Sequence, residues 1–223
     1  MIVFQSVAQR FGASDLFTEV SLTLDAGSFH FLTGPSGAGK STLLRLLHGE
    51  LHPSSGRVQV LGADLSALRR EELAQLRRRI GVVHQDCQFL DHLNVRENVA
   101  LPLLATDRPV VERDLDELLG WVGLLPQAGA LPPTLSGGER QRAALARAVI
   151  GTPAILLADE PTGNLDWETS QRLLALIVEI NRMGTTVLIA THDLNLIRVA
   201  KSRIPVRVLR IAGRRLQLAG AEL

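Results

Sequence analysis

Gly34-Pro35-Ser36-Gly37-Ala38-Gly39-Lys40-Ser41 decides the fold class of this chain. A glycine, four residues and then Gly-Lys-Ser is the spacing of a loop that cradles phosphates. Glycines admit positive φ, so several backbone N–H groups can converge on one anion. Lys40 adds a charge over the β- and γ-phosphates, and Ser41, with Thr42 behind it, brings a hydroxyl to Mg2+. The flanks agree. Residues 28–33 read as a strand, and residues 41–47 read as a helix whose positive end faces the phosphates.

Further along, Ile155-Leu156-Leu157-Ala158-Asp159-Glu160 is an apolar run ending in two acids. By itself such a run is equally a strand that stops at a turn. Behind a phosphate loop, Asp159 is expected to reach Mg2+, and Glu160 to orient and deprotonate an attacking water. Leu135-Ser136-Gly137-Gly138-Glu139 has capping-box spacing and opens an alanine-rich helix. Two glycines at a helix mouth also form an anion site.

The rest of the pattern fills in around these motifs. Residues 2–8 and 16–24 alternate apolar and polar side chains, as half-buried antiparallel strands do. Short strands are expected at 58–61, 80–83, 154–158 and 185–190, with helices at 68–79 and 167–183. A hairpin is expected at 206–218 around Gly213. Between 91 and 151 the pattern is helical, and prolines 102, 109, 126, 132 and 133 are expected to break it into short helices. The fold class is α/β: a mostly parallel nucleotide core, an antiparallel β subdomain and a helical insertion. It forms a single domain over 1–223, with core and β subdomain about 1–90 and 152–223 and helical subdomain about 91–151.

Composition narrows the function. The 223 residues are 46% hydrophobic with a net charge of +1, so no basic footprint argues for nucleic acid. Cys87 is the only cysteine, which excludes an internal disulfide and fits a reducing compartment. The first residues lack a signal-peptide pattern, and no apolar run approaches the ~20 residues of a membrane span. The arginines at 69, 70, 77, 78 and 79 read as a solvated helix face. Those at 207, 210, 214 and 215 read as a solvated face or as a contact with anionic membrane.

The phosphate loop, the Leu135–Glu139 string followed by Arg140-Gln141-Arg142, and the Asp159-Glu160 strand occur in the order found in ATP-binding cassette (ABC) ATPases, and the chain resembles that family along its whole length. The resemblance implies Mg2+-dependent hydrolysis of ATP to ADP and phosphate. Glu160 would then be the base, His192 in Ala190-Thr191-His192-Asp193 the switch histidine, and Gln85 a sensor of Mg2+ and the γ-phosphate. Ser41, Gln85 and Asp159 would face the metal. Phe11 would stack on adenine where tyrosine is usual. The backbone from Gly34 to Gly39, with Pro35, Ser36 and Ala38 between the glycines, would wrap the phosphates with Lys40, Ser41 and Thr42.

Family subunits of this size form head-to-tail homodimers on ATP binding, so Ser136, Gly137, Gly138 and Asp166 would complete the site held by the other copy. The string Leu157–Asp166 resembles the mechanotransmitting group of ABC systems, and Phe31–Gly34 leading into Ser36–Lys40, with Ala190–Ile197, looks most like its cell-division type, whose partner is an FtsX-like membrane protein. That type acts peripherally, on the cytoplasmic side of the cell inner membrane. The lipoprotein-releasing and macrolide-exporter types remain open. His84 departs from the phenylalanine usual before the glutamine. Phe89, Leu90 and Leu93 read either as a groove for a helix of the membrane partner or as packing of the insertion itself.

Overall fold

A computed structural model describes residues 1–12 and 14–218; residues 219–223, the end of the 152–223 range, lie outside the described residues. In chain order, the strands β1 (Ile2–Phe11), β2 (Ser14–Leu24) and β3 (Phe29–Thr33) lead through the glycine loop into α1 (Lys40–Leu47). β4 (Ser55–Val60), β5 (Ala63–Asp64), α2 (Arg70–Arg77) and β6 (Ile80–Val83) follow. The helices α3 (Val95–Leu104), α4 (Glu112–Trp121) and α5 (Gly137–Val149) form the insertion. β7 (Ile155–Asp159), α6 (Trp167–Arg182), β8 (Thr186–Ala190), α7 (Leu194–Lys201) and the hairpin β9 (Arg207–Ala212)–β10 (Arg215–Leu218) close the chain.

Two sheets organise these elements. One is antiparallel, in the order β2-β1-β4-β5; the other runs β10-β9-β3-β8-β7-β6, parallel from β9 to β6. All five residues of β3 and of β8 are buried, as strands covered on both faces must be. One apolar cluster fills the space between the two sheets around α1. A second lies on the other side of the parallel sheet, under α5, α6 and α7. A third, around Val99, Leu115, Leu119 and Leu124, belongs to the helical insertion.

Several elements differ from the sequence reading. β1 and β2 are longer than 2–8 and 16–24, because register shifts between Phe4 and Arg10 interrupt the alternation without ending the pairing. β4 starts at Ser55, three residues before the strand expected at 58–61, since Ser55 pairs with Ala8 and Gly56 takes φ +82°. α7 and β5 had no counterpart in the reading. Pro102 does not break its helix: it sits inside α3, which runs only two residues past it, so one missing donor is tolerated. The remaining four prolines lie outside the α-helices. Asn98, fully buried on α3, accepts from the Leu90 amide at 2.9 Å and donates to the carbonyls of Leu90, Leu93 and Asn94. It thereby fixes the loop that enters the insertion.

One arginine reading also changes. Arg77 is half-buried and donates to the carbonyls of His48 and Gly49, so it ties α2 to the loop after α1. Arg207 pairs with Asp25 at 3.4 Å and Arg215 with Glu19 at 3.9 Å.

Candidate active site

β3, β8, β7 and β6 are neighbours in the parallel sheet, and each ends in a piece of the site. The glycine loop follows β3, Thr191-His192 follows β8, Glu160 follows β7 and His84-Gln85 follows β6. Ligands of open α/β sheets bind beyond these carboxyl ends. A cavity of about 610 Å³ lies there, and its walls include Phe11, Gly34–Gly37, Gly39–Thr42, Gln85, Asp159, Glu160 and His192.

The loop needs its glycines. Gly37 and Gly39 hold φ of +76° and +102°. A Cβ on Gly39 would stand 2.7 Å from Leu16 Cδ2, and one on Gly34 would stand 2.9 Å from the Ile211 carbonyl oxygen. The loop is therefore clamped between the antiparallel sheet and β9. Lys40 Nζ donates to the Gly34 oxygen at 3.0 Å and lies 3.7 Å from Glu160 Oε1, with both side chains only 11% exposed.

Glu160 is held at φ +45°, a left-handed conformation uncommon for a side chain of its size and common at functional turns. Its amide donates to the Ala190 carbonyl at 2.9 Å, and its own carbonyl accepts from Gly163 at 3.1 Å. Its second carboxylate oxygen, Oε2, lies 3.0 Å from His192 Nδ1. The carboxylate is thus bracketed by an ammonium and an imidazole.

Asp159 has the chemistry of a hard-cation ligand. Oδ1 is buried without a hydrogen-bond partner. Burial pushes its carboxyl above the usual carboxylate range; the Ser41 hydrogen bond and the Lys40 charge pull the other way, and the Glu160 charge adds to the rise. A buried acceptor beside a serine hydroxyl and a glutamine amide is an oxygen set that suits Mg2+, so the residues present fit the ion.

Five expected residues do not line this cavity: Ala38 turns from the loop to pack against the apolar cluster around α1, and the other four lie elsewhere. Ser136, Gly137 and Gly138 open α5 on an exposed face, where Ser136 accepts from the Glu139 amide at 3.3 Å and Glu139 Oε2 accepts from the Ser136 amide at 2.8 Å. That bonding holds the Glu139 carboxyl below its ordinary value. Asp166 caps α6 by accepting from the Thr169 amide at 2.9 Å. Within one chain none of these four groups lines the cavity over the Lys40 loop. Phe11, by contrast, is 52% exposed in the cavity wall and is not core packing.

Sequence reasoning missed some site residues. Leu16 and Gly163 line the cavity. Leu16 gets there because β2 folds over the loop, which no local pattern signals. Gln141, nearly buried on α5, donates to the Gln85 carbonyl at 3.4 Å, and Arg140 donates to the Cys87 carbonyl at 3.3 Å. The helix opened by Ser136 therefore grips the segment after β6. Phe89 is gripped too: Arg140 and Arg147 lie over its ring, 5.4 and 4.7 Å from the centroid, and it packs against two apolar clusters. Leu90 beside it is 45% exposed.

A model of the ABC transporter family matches residues 17–163. The cell division ATP-binding protein FtsE of Escherichia coli K12 is 46% identical over 200 residues, 88% of this chain and 90% of that protein. The methionine import ATP-binding protein MetN of Mesorhizobium japonicum is 44% identical over 201 residues, 89% of this chain but only 55% of that protein. Among solved structures, the dimeric post-hydrolysis state of the ATP-binding cassette MJ0796 bound to ADP and Pi superposes with a TM-score of 0.87 at 31% identity, covering 97% of both chains. A nucleotide-sized cavity at the strand ends, with these residues around it, agrees with the match: the chain belongs to the ABC transporter family.

Proposed function

We infer that this chain is the ATP-hydrolysing subunit of an FtsEX-type complex, which drives a membrane partner that regulates cell-wall hydrolysis during bacterial division. The observation that carries the chemistry is Glu160, placed between Lys40 and His192 in the cavity. The likeness to FtsE over nearly the full length of both chains supports the choice of system.

ATP enters with its phosphates on the glycine loop and its base toward Phe11. Lys40 offsets charge on the β- and γ-phosphates. Ser41, Asp159 and Gln85 would hold Mg2+, which when bound neutralises charge developing on the phosphate oxygens. Glu160 accepts a proton from water as the water oxygen attacks the γ-phosphorus and ADP leaves; His192 keeps that carboxylate aimed. Ser136, Gly137, Gly138 and Asp166 of a second copy complete the site, so hydrolysis requires a homodimer.

No helix among the described residues is long and apolar enough to cross a membrane, and we place the chain peripherally, on the cytoplasmic face of the inner membrane, through an FtsX-like protein. The join between core and insertion suits such a partner. Leu90 is exposed there. A cleft of about 670 Å³ at the same join is lined by Arg77, Arg78, His84, Arg108 and Arg147 and by no carboxylate. That chemistry favours a partner segment with acidic side chains. Because Gln141 and Arg140 tie α5 to this segment, closure over ATP would move the partner.

Isolation of the tagged chain from detergent-solubilised membranes tests the assignment. An FtsX-like protein should co-purify. A lipoprotein-releasing or macrolide-exporter membrane subunit in its place would move the chain to that branch.

A further inference from the structure

Trp167 is the first residue of α6, directly after Asp166, and 46% of it is exposed. Asp166 alone caps the helix, so the local structure does not call for an indole at this position. The ring lines a second cavity, of about 310 Å³, together with Glu160, Gly163 and His192. Those three residues also line the nucleotide cavity. On its other side, the first turn of α6 packs close to half-buried Gly138 of α5: a Cβ on Gly138 would lie 2.7 Å from Thr169 Cγ2. Trp167 therefore stands between the two half-sites that one chain carries.

A symmetric pair brings the Ser136 face of each copy to the Lys40 loop of the other, and the surface between those half-sites must then enter the contact. We propose that Trp167 anchors the interface with a second copy of this chain, burying its indole against the partner and shielding the Glu160–His192 pair from solvent. The proposal rests on the homodimer reading above and adds to it the residue that holds the copies together. Tryptophan suits the task, since its large rigid ring dominates interface energetics when buried near the centre of a contact.

The test uses the purified full chain carrying Glu160→Gln, so that ATP is retained. Sedimentation in ATP and Mg2+ should show a dimer. Adding Trp167→Ala should weaken dimerisation at least tenfold while ATP binding by the monomer stays within about twofold, and Trp167→Phe should restore most of the dimer. In a Trp121→Phe background the remaining indole should shift its emission to the blue and lose acrylamide quenching when ATP is added. If Trp167→Ala dimerises as well as its parent, the anchor is overturned and the homodimer stands. If the parent itself stays monomeric, both fail. If Trp167→Ala is misfolded, the emission experiment decides, and an indole equally quenched before and after dimerisation overturns the proposal.

Discussion

Glu160 Oε2 lies 3.0 Å from His192 Nδ1, on two different strand ends of the same sheet. The contact fixes which carboxylate oxygen faces the imidazole and leaves the other toward Lys40, 3.7 Å away. A general base whose rotamer is held from both sides is positioned before substrate arrives, which lowers the cost of reaching the reactive geometry. That division of labour can be dissected residue by residue.

Glu160→Gln keeps the shape of the side chain and loses the proton acceptor. Turnover should fall by roughly 10²–10⁴-fold, the usual contribution of a general base, while ATP affinity is kept or rises. Steady-state phosphate release and nucleotide titration measure the two; wild-type turnover would remove Glu160 from this role.

His192→Ala leaves the base in place but releases it. Turnover should drop on the order of 10²-fold with ATP affinity within a factor of about three, since His192 orients the carboxylate and Lys40 carries the phosphate contact. A comparable loss of ATP binding would mean that the imidazole contacts the nucleotide directly.

Lys40→Ala removes the one ammonium in the cavity. Calorimetry should show severely weakened ATP binding and no turnover, with the native circular dichroism spectrum retained. Full affinity in this variant would place the phosphates elsewhere.

Asp159→Asn separates stability from function. Burial raises the Asp159 carboxyl in the folded chain, so the ionised form opposes folding: the penalty is present at pH above the raised folded value and vanishes as pH falls through it. Without nucleotide or Mg2+, the asparagine variant should melt about 2–4 °C higher at neutral pH for each ~1 kcal/mol relieved, and the gain should shrink in acid. Mg2+-dependent hydrolysis should be lost. A variant that melts lower at neutral pH contradicts the electrostatic account.

At the join with the insertion, neighbouring residues should behave differently. Leu90→Asp alters an exposed side chain and should weaken co-purification of the membrane partner with unchanged ATP binding. Phe89→Ala empties a ring packed against two clusters and beneath two guanidiniums, so it should cost roughly 2 kcal/mol of stability, about half the value for a fully buried ring. Thermal melts and pull-downs on both variants separate the two effects.

The site was legible in the sequence wherever its chemistry is local. The glycine loop, the Asp159-Glu160 turn and the Ser136 cap each lie within a few residues, and backbone geometry ties each string to its task. Features made by distant segments were not legible. Leu16 enters the cavity only because a register-shifted hairpin arches over Gly39, and those shifts hid how far the two strands extend beyond 2–8 and 16–24. Phe89 looked like a possible docking anchor because it stands in a mostly polar connecting stretch, while its partners in space, Arg140 and Arg147, lie on α5. Asp193 was read as part of the switch string, yet it also accepts from the amides of Asn195 and Leu196 and so starts α7.

The placement of β3 has a consequence for biosynthesis. Its partners are β8 and β9, with Phe29 opposite Val187 and His30 opposite Arg207. The strand that carries the phosphate loop thus leaves the ribosome roughly 150 residues before either neighbour. At about 5–20 residues per second that is on the order of 8–30 s with a strand destined for full burial left unpaired. A nascent chain cannot hydrolyse ATP during that interval, and a message truncated before β8 yields no partly active motor. The interval in which the chain most needs shielding therefore falls between the making of the loop and the arrival of the strand that fixes it.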